Sequence, residues 1–360
     1  MKSKKKLIIS SAAGLILTFV SAYYFIRYVP LDELLNYFRS IDYLWILPSF
    51  LCVLLGFMAR GLRWKVILDS SNSLNYYEAY HPMMIGFMLN NFLPGRIGEV
   101  VRPVILKRRS SISLATGLAT IAAERLFDML VMLGILFFVL VNIDIDPSIE
   151  YSFRDYLINI DTLISISKKM LFLLLIIILA ISILVFEKTK RFVTKLIRMI
   201  PELIFFATSI EKKKIEQLIS GPIEKFVKNI SSGFLFARDL KKVILILGLS
   251  IFVWCIQVVS CYVMALGCPG VNVLSVFEHA AVMVIIGFFI ALPSVPGFWG
   301  LWEAGGLFAL SLFSISPGDA AGYTLVNHAV QVFSVSLLGI VSVMVAGRNS
   351  ICSIIKESMK

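Results

Sequence analysis

The stretch LPGRIGEVVRP, residues 93–103, combines a helix-breaking Pro-Gly pair with charged side chains inside an apolar part of the chain. Pro94 has no backbone N–H to donate and the glycine after it permits a sharp turn, so a helix is predicted to end here and restart. The restarted helix directs free N–H groups, with roughly half a positive charge, at the break. Arg96 and Arg102 add full charges beside Glu99, a combination that favours an anion, most often phosphate.

The composition places these residues in a membrane protein. The chain has 360 residues, is 58% hydrophobic and has a mean hydropathy of +0.87, which is too apolar for a soluble protein of this length. Apolar stretches of about 20 residues, enough to cross a hydrocarbon core of ~30 Å as helices, recur along it. Three histidines without metal-ligand spacing and the lack of a GxxxxGK[ST] motif predict no metal or other cofactor. We therefore expect an all-α polytopic membrane protein that is not an enzyme.

Six full spans and two interrupted apolar regions are predicted. The spans are 7–29, 43–62, 112–143, 169–187, 243–267 and 319–346, and the interrupted regions are 77–109 and 272–315. With the first helix retained, every short basic loop falls on one side of the membrane, as the excess of Lys and Arg in cytoplasmic loops requires. Both termini are then cytoplasmic, and Arg60, Arg63 and Lys65 lie at the cytoplasmic end of the second span. A prokaryotic cytoplasmic membrane is the expected location.

The two interrupted regions share a signature that indicates an internal repeat. PGRIGE at 94–99 matches PGFWGLWE at 296–303 in the order of its proline, glycines and glutamate. Each region is predicted to form a re-entrant hairpin, the first entered from the cytoplasm and the second from outside. The two halves would then be inverted repeats, as in secondary transporters. Two unrelated loops that both need proline and glycine are the alternative.

The chain accordingly divides into five parts. A basic segment with apolar stripes at helical spacing lies between the repeats and is typical of amphipathic helices on an anionic inner leaflet; a solvated connector is the alternative. The parts are 1–42 (a membrane helix and a short external loop), 43–187 (first repeat), 188–242 (basic connector), 243–347 (second repeat) and 348–360 (cytoplasmic tail).

Further polar side chains fall inside predicted spans. Ionisable groups there cost at least about 2.5 kcal/mol to insert, so they are functional candidates with partners to be found. Structural ion pairs between carboxylates and arginines are the alternative, and interfacial anchoring is the alternative for Trp299. The candidate substrate-binding residues are Asn90, Asn91, Arg96, Glu99, Arg102, Glu124, Arg125, Asp128, Trp299, Glu303, Asn327 and His328.

At NNFLPGRIGEVVRPVIL, ERLFDML and LPSVPGFWGLWEAG, the chain resembles the flippase-like transmembrane domain of the lysylphosphatidylglycerol synthases and its stand-alone relatives. The resemblance covers residues ~40 to ~345. It implies translocation of anionic or aminoacylated phospholipids between leaflets. The positions that match the family's motifs are Asn91, Arg96, Glu99, Arg102, Glu124, Arg125, Asp128 and Glu303.

Two departures from the family pattern qualify that expectation. Phe298 and Trp299 stand where the second motif often has glycines, which is expected to reshape that half of the cavity. A soluble synthase domain is not expected after residue 347, so the chain is not expected to aminoacylate lipid itself.

Three functions stay open from the sequence. The first is a lipid translocator whose phosphate site is formed by arginines and the half-helix N-terminus at the first break. The second is an ion-coupled carrier of a small organic anion, with Glu124, Asp128 or His328 as the coupling site. The third is a non-transporting membrane partner of a lipid-modifying enzyme. A transferase has little support, because the adjacent residues Glu278 and His279 do not face each other on a helix.

The expected partners follow from these functions. An anionic phospholipid headgroup and the anionic inner leaflet are predicted to contact the chain, and nucleic acid is not. A homo-oligomer and a separate lipid-modifying enzyme both stay open as partners.

Overall fold

The computed structural model describes residues 31–110, 112–142, 151–153, 156–158, 220–291 and 296–346, with scattered positions between 164 and 199. Its elements are α1 (Leu31–Ser40), α2 (Ile46–Leu68), α3 (Tyr76–Phe92), α4 (Ile97–Arg109), α5 (Leu114–Asn142), β1 (Tyr151–Phe153), β2 (Tyr156–Ile158), α6 (Gly221–Gly233), α7 (Leu240–Leu266), α8 (Val276–Ala291), α9 (Leu301–Ser311) and α10 (Pro317–Ala346). The predicted span 7–29, most of span 169–187 and of the connector, and the tail lie outside the described residues.

Long helices occupy the four remaining predicted spans, and broken helix pairs occupy both interrupted regions. By length and composition, Tyr43–Leu68, Leu240–Leu266 and Pro317–Ala346 can each cross a membrane. α5 is equally long but carries three charged residues near its middle. These helices confirm the prediction of a helical membrane protein, while the re-entrant placement of the broken pairs stays a prediction.

A short β-hairpin is the one β-sheet among the described residues. Tyr151 pairs with Ile158, and Phe153 with Tyr156, in an antiparallel register. The hairpin lies between the predicted spans 112–143 and 169–187, so it adds local structure without changing the helical architecture.

Helix α2 continues past its predicted end at residue 62, and this changes the environment of Arg63. The sequence places Arg63 at the cytoplasmic end of the span, yet only 1% of its surface is exposed. The helix extends because Trp64, Ile67 and Leu68 continue its apolar face, and all three are fully buried. A span predicted from hydropathy ends at the charged residues, whereas the buried apolar face of the helix continues beyond them.

The two Pro-Gly breaks have the same backbone conformation. Gly95 and Arg96 have φ angles of 73° and 53°, and Gly297 and Phe298 have φ angles of 67° and 63°. Two consecutive left-handed residues turn the chain between α3 and α4, and again between α8 and α9. Glycine adopts this conformation freely, whereas Arg96 and Phe298 adopt it at a cost, and such residues cluster at functional sites.

The first broken pair depends on a close backbone approach at Gly98. A Cβ atom at Gly98 would lie 1.8 Å from the carbonyl oxygen of Gly86 on α3. The Gly98 N–H also donates to Oδ1 of Asn90 at 2.8 Å. Small residues let helices in membranes approach this closely, so glycine at 98 fixes α4 against α3.

The contacts among the eight helices α2–α5 and α7–α10 occur in equivalent pairs. A contact made by a helix of one half has a counterpart made by the equivalent helix of the other half. α2 packs on α7, α3 contacts α10 as α8 contacts α5, and α2 contacts α10 as α7 contacts α5. Within the halves, the pairs α2 with α3 and α4 with α5 correspond to α7 with α8 and α9 with α10. This correspondence is what two equivalent repeats require.

Two large apolar cores flank the interior of the described structure. One joins α2, α3 and the end of α4, around Trp64 and Met83, and the other joins α1 and α7–α10, around Met283 and Tyr323. Members of both cores line a shared cavity, which is where the charged residues of the broken helices meet.

We predict that Gly98→Ala destabilises the protein. Overpacking of a tight contact costs about 1–3 kcal/mol, and the obstructing atom here is backbone that cannot rotate away. Gly134→Ala in α5 is the matched control, because nothing lies within 4 Å of its Cβ position. Thermal unfolding in detergent should show a lower midpoint for Gly98→Ala alone; equal midpoints for both variants would contradict the close approach.

Candidate functional site

A cavity of about 300 Å³ lies between the two halves of the chain. Both breaks and the eight helices α2–α5 and α7–α10 contribute to its wall, which is mostly apolar. The charged and polar side chains on the wall are Arg60, Asn90, Asn91, Arg96, Glu99, Arg125, Asp128, Gln257, His328 and Gln331. An apolar pocket with a few convergent polar groups is the usual form of a binding site.

A buried bidentate ion pair joins α2 to α5 beside this cavity. Arg63 donates from Nη1 to Oδ1 of Asp128 at 2.6 Å and from Nη2 to Oδ2 at 3.3 Å. Arg63 also donates to Oγ of Ser250 at 2.9 Å, and Nε1 of Trp254 donates to Asp128 at 3.2 Å. Because Ser250 and Trp254 belong to α7, the pair ties three helices and both halves together.

A second buried pair joins α4 to α5. Nη2 of Arg102 donates to Oε2 of Glu124 at 2.8 Å, and each side chain is at most 2% exposed. The Arg102 guanidinium lies 4.2 Å from the ring centroid of Trp64 and 5.3 Å from that of Phe87, in cation–π contact. Trp64 is itself fixed by a bond to Oγ1 of Thr120 at 3.1 Å. Arg102 and Glu124 therefore hold helices together, and the structure does not bring them to the cavity wall.

Arg96 belongs to the first break, and its side chain reaches the second. Its Nη2 donates to the carbonyl oxygen of Ile290 near the end of α8, and its guanidinium carbon is 5.5 Å from the ring centroid of Phe298. Oε1 of Glu99 is 3.9 Å from its Nη1, and the Arg96 side chain is 30% exposed. Arg96 and Phe298 occupy equivalent positions of the two breaks, so the breaks meet at this contact.

Two further arginines face the cavity. Arg60 lies over the ring of Phe57 at 5.6 Å, and no hydrogen bond or salt bridge joins it to another residue in the described part of the chain. Arg125 approaches Oδ2 of Asp128 at 3.7 Å with a side chain that is 39% exposed. Sequence reasoning found Arg125 but missed Arg60 and Arg63. Their spacing of one helical turn within the apolar run from residue 46 to 68 is the signal that could have found them.

The cluster carries more positive than negative charge. Counted over the described residues that meet here, five arginines stand against three carboxylates, an excess of two positive charges; they are Arg60, Arg63, Arg96, Arg102, Arg125, Glu99, Glu124 and Asp128. Charges in a low-dielectric interior need compensation. The excess therefore favours an anion in the cavity.

The second break is built around a carboxylate and an imidazole. The N–H of Gly300 donates to Oε2 of Glu303 at 2.6 Å, which caps α9. Oε1 of Glu303 is 2.6 Å from Nδ1 of His328, and Nε2 of His328 is 2.8 Å from the carbonyl oxygen of Gly297. The imidazole stacks on Trp302 at 4.7 Å and 6°. Glu303 and His328 thus join this break to α10.

The candidate amides have structural partners. Nδ2 of Asn91 donates to the Val332 carbonyl and to Ser336, both at 3.2 Å, which joins α3 to α10. Nδ2 of Asn327 contacts Sγ of Cys261 at 3.4 Å. Of the two, Asn91 also lines the cavity, whereas Asn327 is buried away from it. Trp299 is 39% exposed and contacts the His328 ring at 4.3 Å.

The N-terminus of α4 is less available to an anion than the sequence predicts. Its Gly98 N–H is bonded to Asn90, and its Glu99 N–H donates to the carbonyl oxygen of Arg96 at 3.0 Å. Arg96 precedes the helix as its left-handed cap instead of lying in its first turn. An anion here would meet guanidinium groups before backbone N–H groups.

Long apolar helices, two broken helix pairs and buried charges around a shared cavity define an integral membrane protein with an internal polar site. The chain belongs to the family described as the lysylphosphatidylglycerol synthase transmembrane region, whose model matches residues 7–339. The resemblance found in the sequence motifs is thereby confirmed.

Two relatives match the chain over nearly all of its length. Glycosyltransferase AglD of Haloferax volcanii is 24% identical over 97% of this chain and 56% of its own length. A UPF0104 membrane protein of Methanocaldococcus jannaschii is 22% identical over 95% of this chain and 96% of its own. The chain thus spans little more than half of the glycosyltransferase and nearly all of the UPF0104 protein. No solved structure gives a significant match.

We predict that Glu124→Gln is strongly destabilising, because it leaves Arg102 buried without an anionic partner. Breaking a buried pair in this way costs about 3–5 kcal/mol. Lys65→Gln is the control: its pair with Asp69 is more exposed, with side chains 29% and 20% accessible, and is worth about 1 kcal/mol or less. Thermal unfolding in detergent should rank the variants in that order.

The double variant Arg102→Gln/Glu124→Gln tests whether Glu124→Gln loses stability because Arg102 is left unpaired. It removes the uncompensated charge, so it should recover part of the stability that Glu124→Gln loses. No recovery would show that Glu124 acts mainly through another partner, such as Arg63 at 3.7 Å.

Proposed function

We propose that the chain moves an anionic, phosphate-bearing lipid between membrane leaflets and binds its phosphate at the cavity arginines. The single observation that carries this proposal is the excess of two positive charges around the cavity. Arg63 and Arg102 have carboxylate partners at hydrogen-bond distance, so Arg60, Arg96 and Arg125 are the ones available to a ligand.

The geometry of these three arginines suits a phosphate. Arg60 has only a ring face as a described contact, and the carboxylates nearest to Arg96 and Arg125 are 3.9 and 3.7 Å away. These separations are longer than charge-assisted hydrogen bonds, which are about 2.7–2.9 Å. A phosphate oxygen would therefore gain short, charge-assisted bonds that the carboxylates do not already occupy.

The size and lining of the cavity support a headgroup as its occupant. A volume of about 300 Å³ accommodates a phosphate with a small polar group, but not two acyl chains as well. The tails would remain in the bilayer, next to the apolar outer surfaces of the helices. Movement of a headgroup through a protected polar path, with the tails in lipid, is what translocation between leaflets requires.

The family and the relatives agree with a lipid-linked role. The family is named for a synthase that makes a modified phospholipid, and one relative is named a glycosyltransferase. A membrane protein in lipid or glycan-carrier metabolism is common to both descriptions. Equivalent halves around one site are also how transporters expose a site alternately to the two sides.

We predict that wild-type protein in liposomes moves a fluorescent phosphatidylglycerol between leaflets faster than a fluorescent phosphatidylcholine, since only the former carries net negative charge. Arg60→Gln and Arg96→Gln should each slow phosphatidylglycerol movement about tenfold or more, the effect of losing one charge-assisted contact. Arg39→Gln, at an exposed arginine on α1, is the matched control and should transport normally.

The outcomes separate the remaining functions. If the folded protein moves neither lipid but takes up a soluble phosphate ester, it is a small-anion carrier. Normal phosphatidylglycerol movement in both cavity variants would show that the phosphate binds elsewhere.

A further inference from the structure

The Glu303–His328 pair must hold one proton more than a carboxylate and a neutral imidazole hold together. Nε2 of His328 faces the carbonyl oxygen of Gly297 at 2.8 Å, and that oxygen can only accept, so Nε2 carries a proton. Nδ1 faces Oε1 of Glu303 at 2.6 Å, and one of these two atoms must carry a proton as well. The pair is therefore either imidazolium with carboxylate or imidazole with carboxylic acid, and both forms are neutral overall.

Loss of that proton is incompatible with keeping both contacts of the imidazole. A neutral imidazole has one N–H, so either Nδ1 directs a lone pair at the carboxylate oxygen 2.6 Å away or Nε2 directs one at the Gly297 carbonyl oxygen 2.8 Å away, with the His328 and Glu303 side chains 1% and 7% exposed. Solvent cannot relieve repulsion in so buried a place. Deprotonation should therefore break one of the two His328 contacts and loosen the bridge between the second break and α10.

Two indole rings lie against the His328 imidazole. The ring stacks on Trp302 at 4.7 Å and contacts Trp299 at 4.3 Å, and indole faces attract cations. His328, Trp302 and Gly297 all line the cavity, so the imidazole of the pair lies on the wall of the ligand site.

Charged and titratable groups from other elements face the same cavity. They come from α2, the first break, α4 and α5 and are Arg60, Arg96, Glu99, Arg125 and Asp128. Cys261 of α7 contacts Asn327 beside His328 without lining the cavity, and α3 adds the neutral Asn91 to the cavity wall. Of the charged and titratable side chains in the described residues, Glu303 alone makes a hydrogen bond to the imidazole.

We propose that the Glu303–His328 pair is a proton-binding site coupled to the anion site, so that anion binding in the cavity is accompanied by proton uptake at this pair. The neutral protonated pair tolerates an anion in the shared cavity, whereas the deprotonated pair carries a negative charge that repels it. By linkage, the proton strengthens anion binding and the anion strengthens proton binding by the same factor. The coupling rests on the proposed function, because it takes a phosphate group as the anion, whereas the proton site does not.

The first test measures the proton site without any lipid substrate. A protonated imidazole in contact with indoles quenches their fluorescence, so intrinsic tryptophan emission of the purified protein should fall as pH is lowered from about 8 to about 5. His328→Gln should lose this step. Glu303→Gln should move it to lower pH, because a glutamine still caps α9 but offers an amide N–H that stabilises neutral His328. His279→Gln is the matched control, since His279 is also buried among aromatic rings but makes edge-on contacts with two tyrosines and none with a tryptophan in the described residues.

The second test measures the coupling. Short-chain phosphatidylglycerol added to protein in weakly buffered detergent solution should cause proton uptake, read with a pH indicator, in wild type and in His279→Gln but not in His328→Gln. Wild-type affinity for this lipid should fall about fivefold or more as pH rises through the fluorescence step, the usual size of such couplings.

Each outcome decides one part of the inference. A fluorescence step that is absent in wild type or persists in His328→Gln overturns the proton site. A normal step with lipid binding but no proton uptake overturns the coupling. A normal step without binding of phosphatidylglycerol overturns the proposed function and the coupling with it, while the proton site stands.

Discussion

The need to compensate buried arginines is the constraint on which the rest of this structure depends. Arg63 and Arg102 lie almost completely buried, and each is bonded to a carboxylate on α5. An unpaired charge at this depth would cost several kcal/mol, so α2, α4 and α5 are held at one relative position. Through Ser250 and Trp254, the same network reaches α7 in the other half. The cavity keeps its shape because the pairs beside it cannot be separated cheaply.

The two halves share a backbone plan but differ in chemistry. Both breaks use two left-handed residues after a proline, and in both a side chain caps the glycine N–H that opens the next helix. The first half then directs arginines at the cavity, whereas the second presents an imidazole that is bonded to a carboxylate and packed against tryptophans. Equivalent folds can thus provide one wall that attracts an anion and another that responds to it.

The sequence predicts the breaks well because their cause is local. A Pro-Gly pair favours a helix end through its own backbone preferences, so both broken pairs follow from the chain itself, although the lone prolines Pro82 and Pro103 lie within helices. The limits of α5, α7 and α10 also fall close to the predicted ones. The partners of the charges do not follow, because they depend on the rotation of each helix against its neighbours. Arg102 is thereby directed at Glu124 instead of the cavity, and Arg60, expected at the cytoplasmic end of the second span, faces the cavity. Asn90 was a candidate substrate-binding residue, but its Oδ1 accepts from the Gly98 N–H, which was expected to be free.

An anion held by arginine side chains, and not by fixed N–H groups, can be released as well as bound. Two cavity arginines lie beside protein groups that can take the place of a ligand. The Ile290 carbonyl and Glu99 lie beside Arg96, and Asp128 lies beside Arg125. These partners compete with a phosphate and keep its affinity moderate. A site that must empty on the far side of a membrane requires binding strong enough to enter but weak enough to leave. The loose ion pairs of the cavity are therefore suited to passage, whereas the tight pairs beside it are suited only to structure.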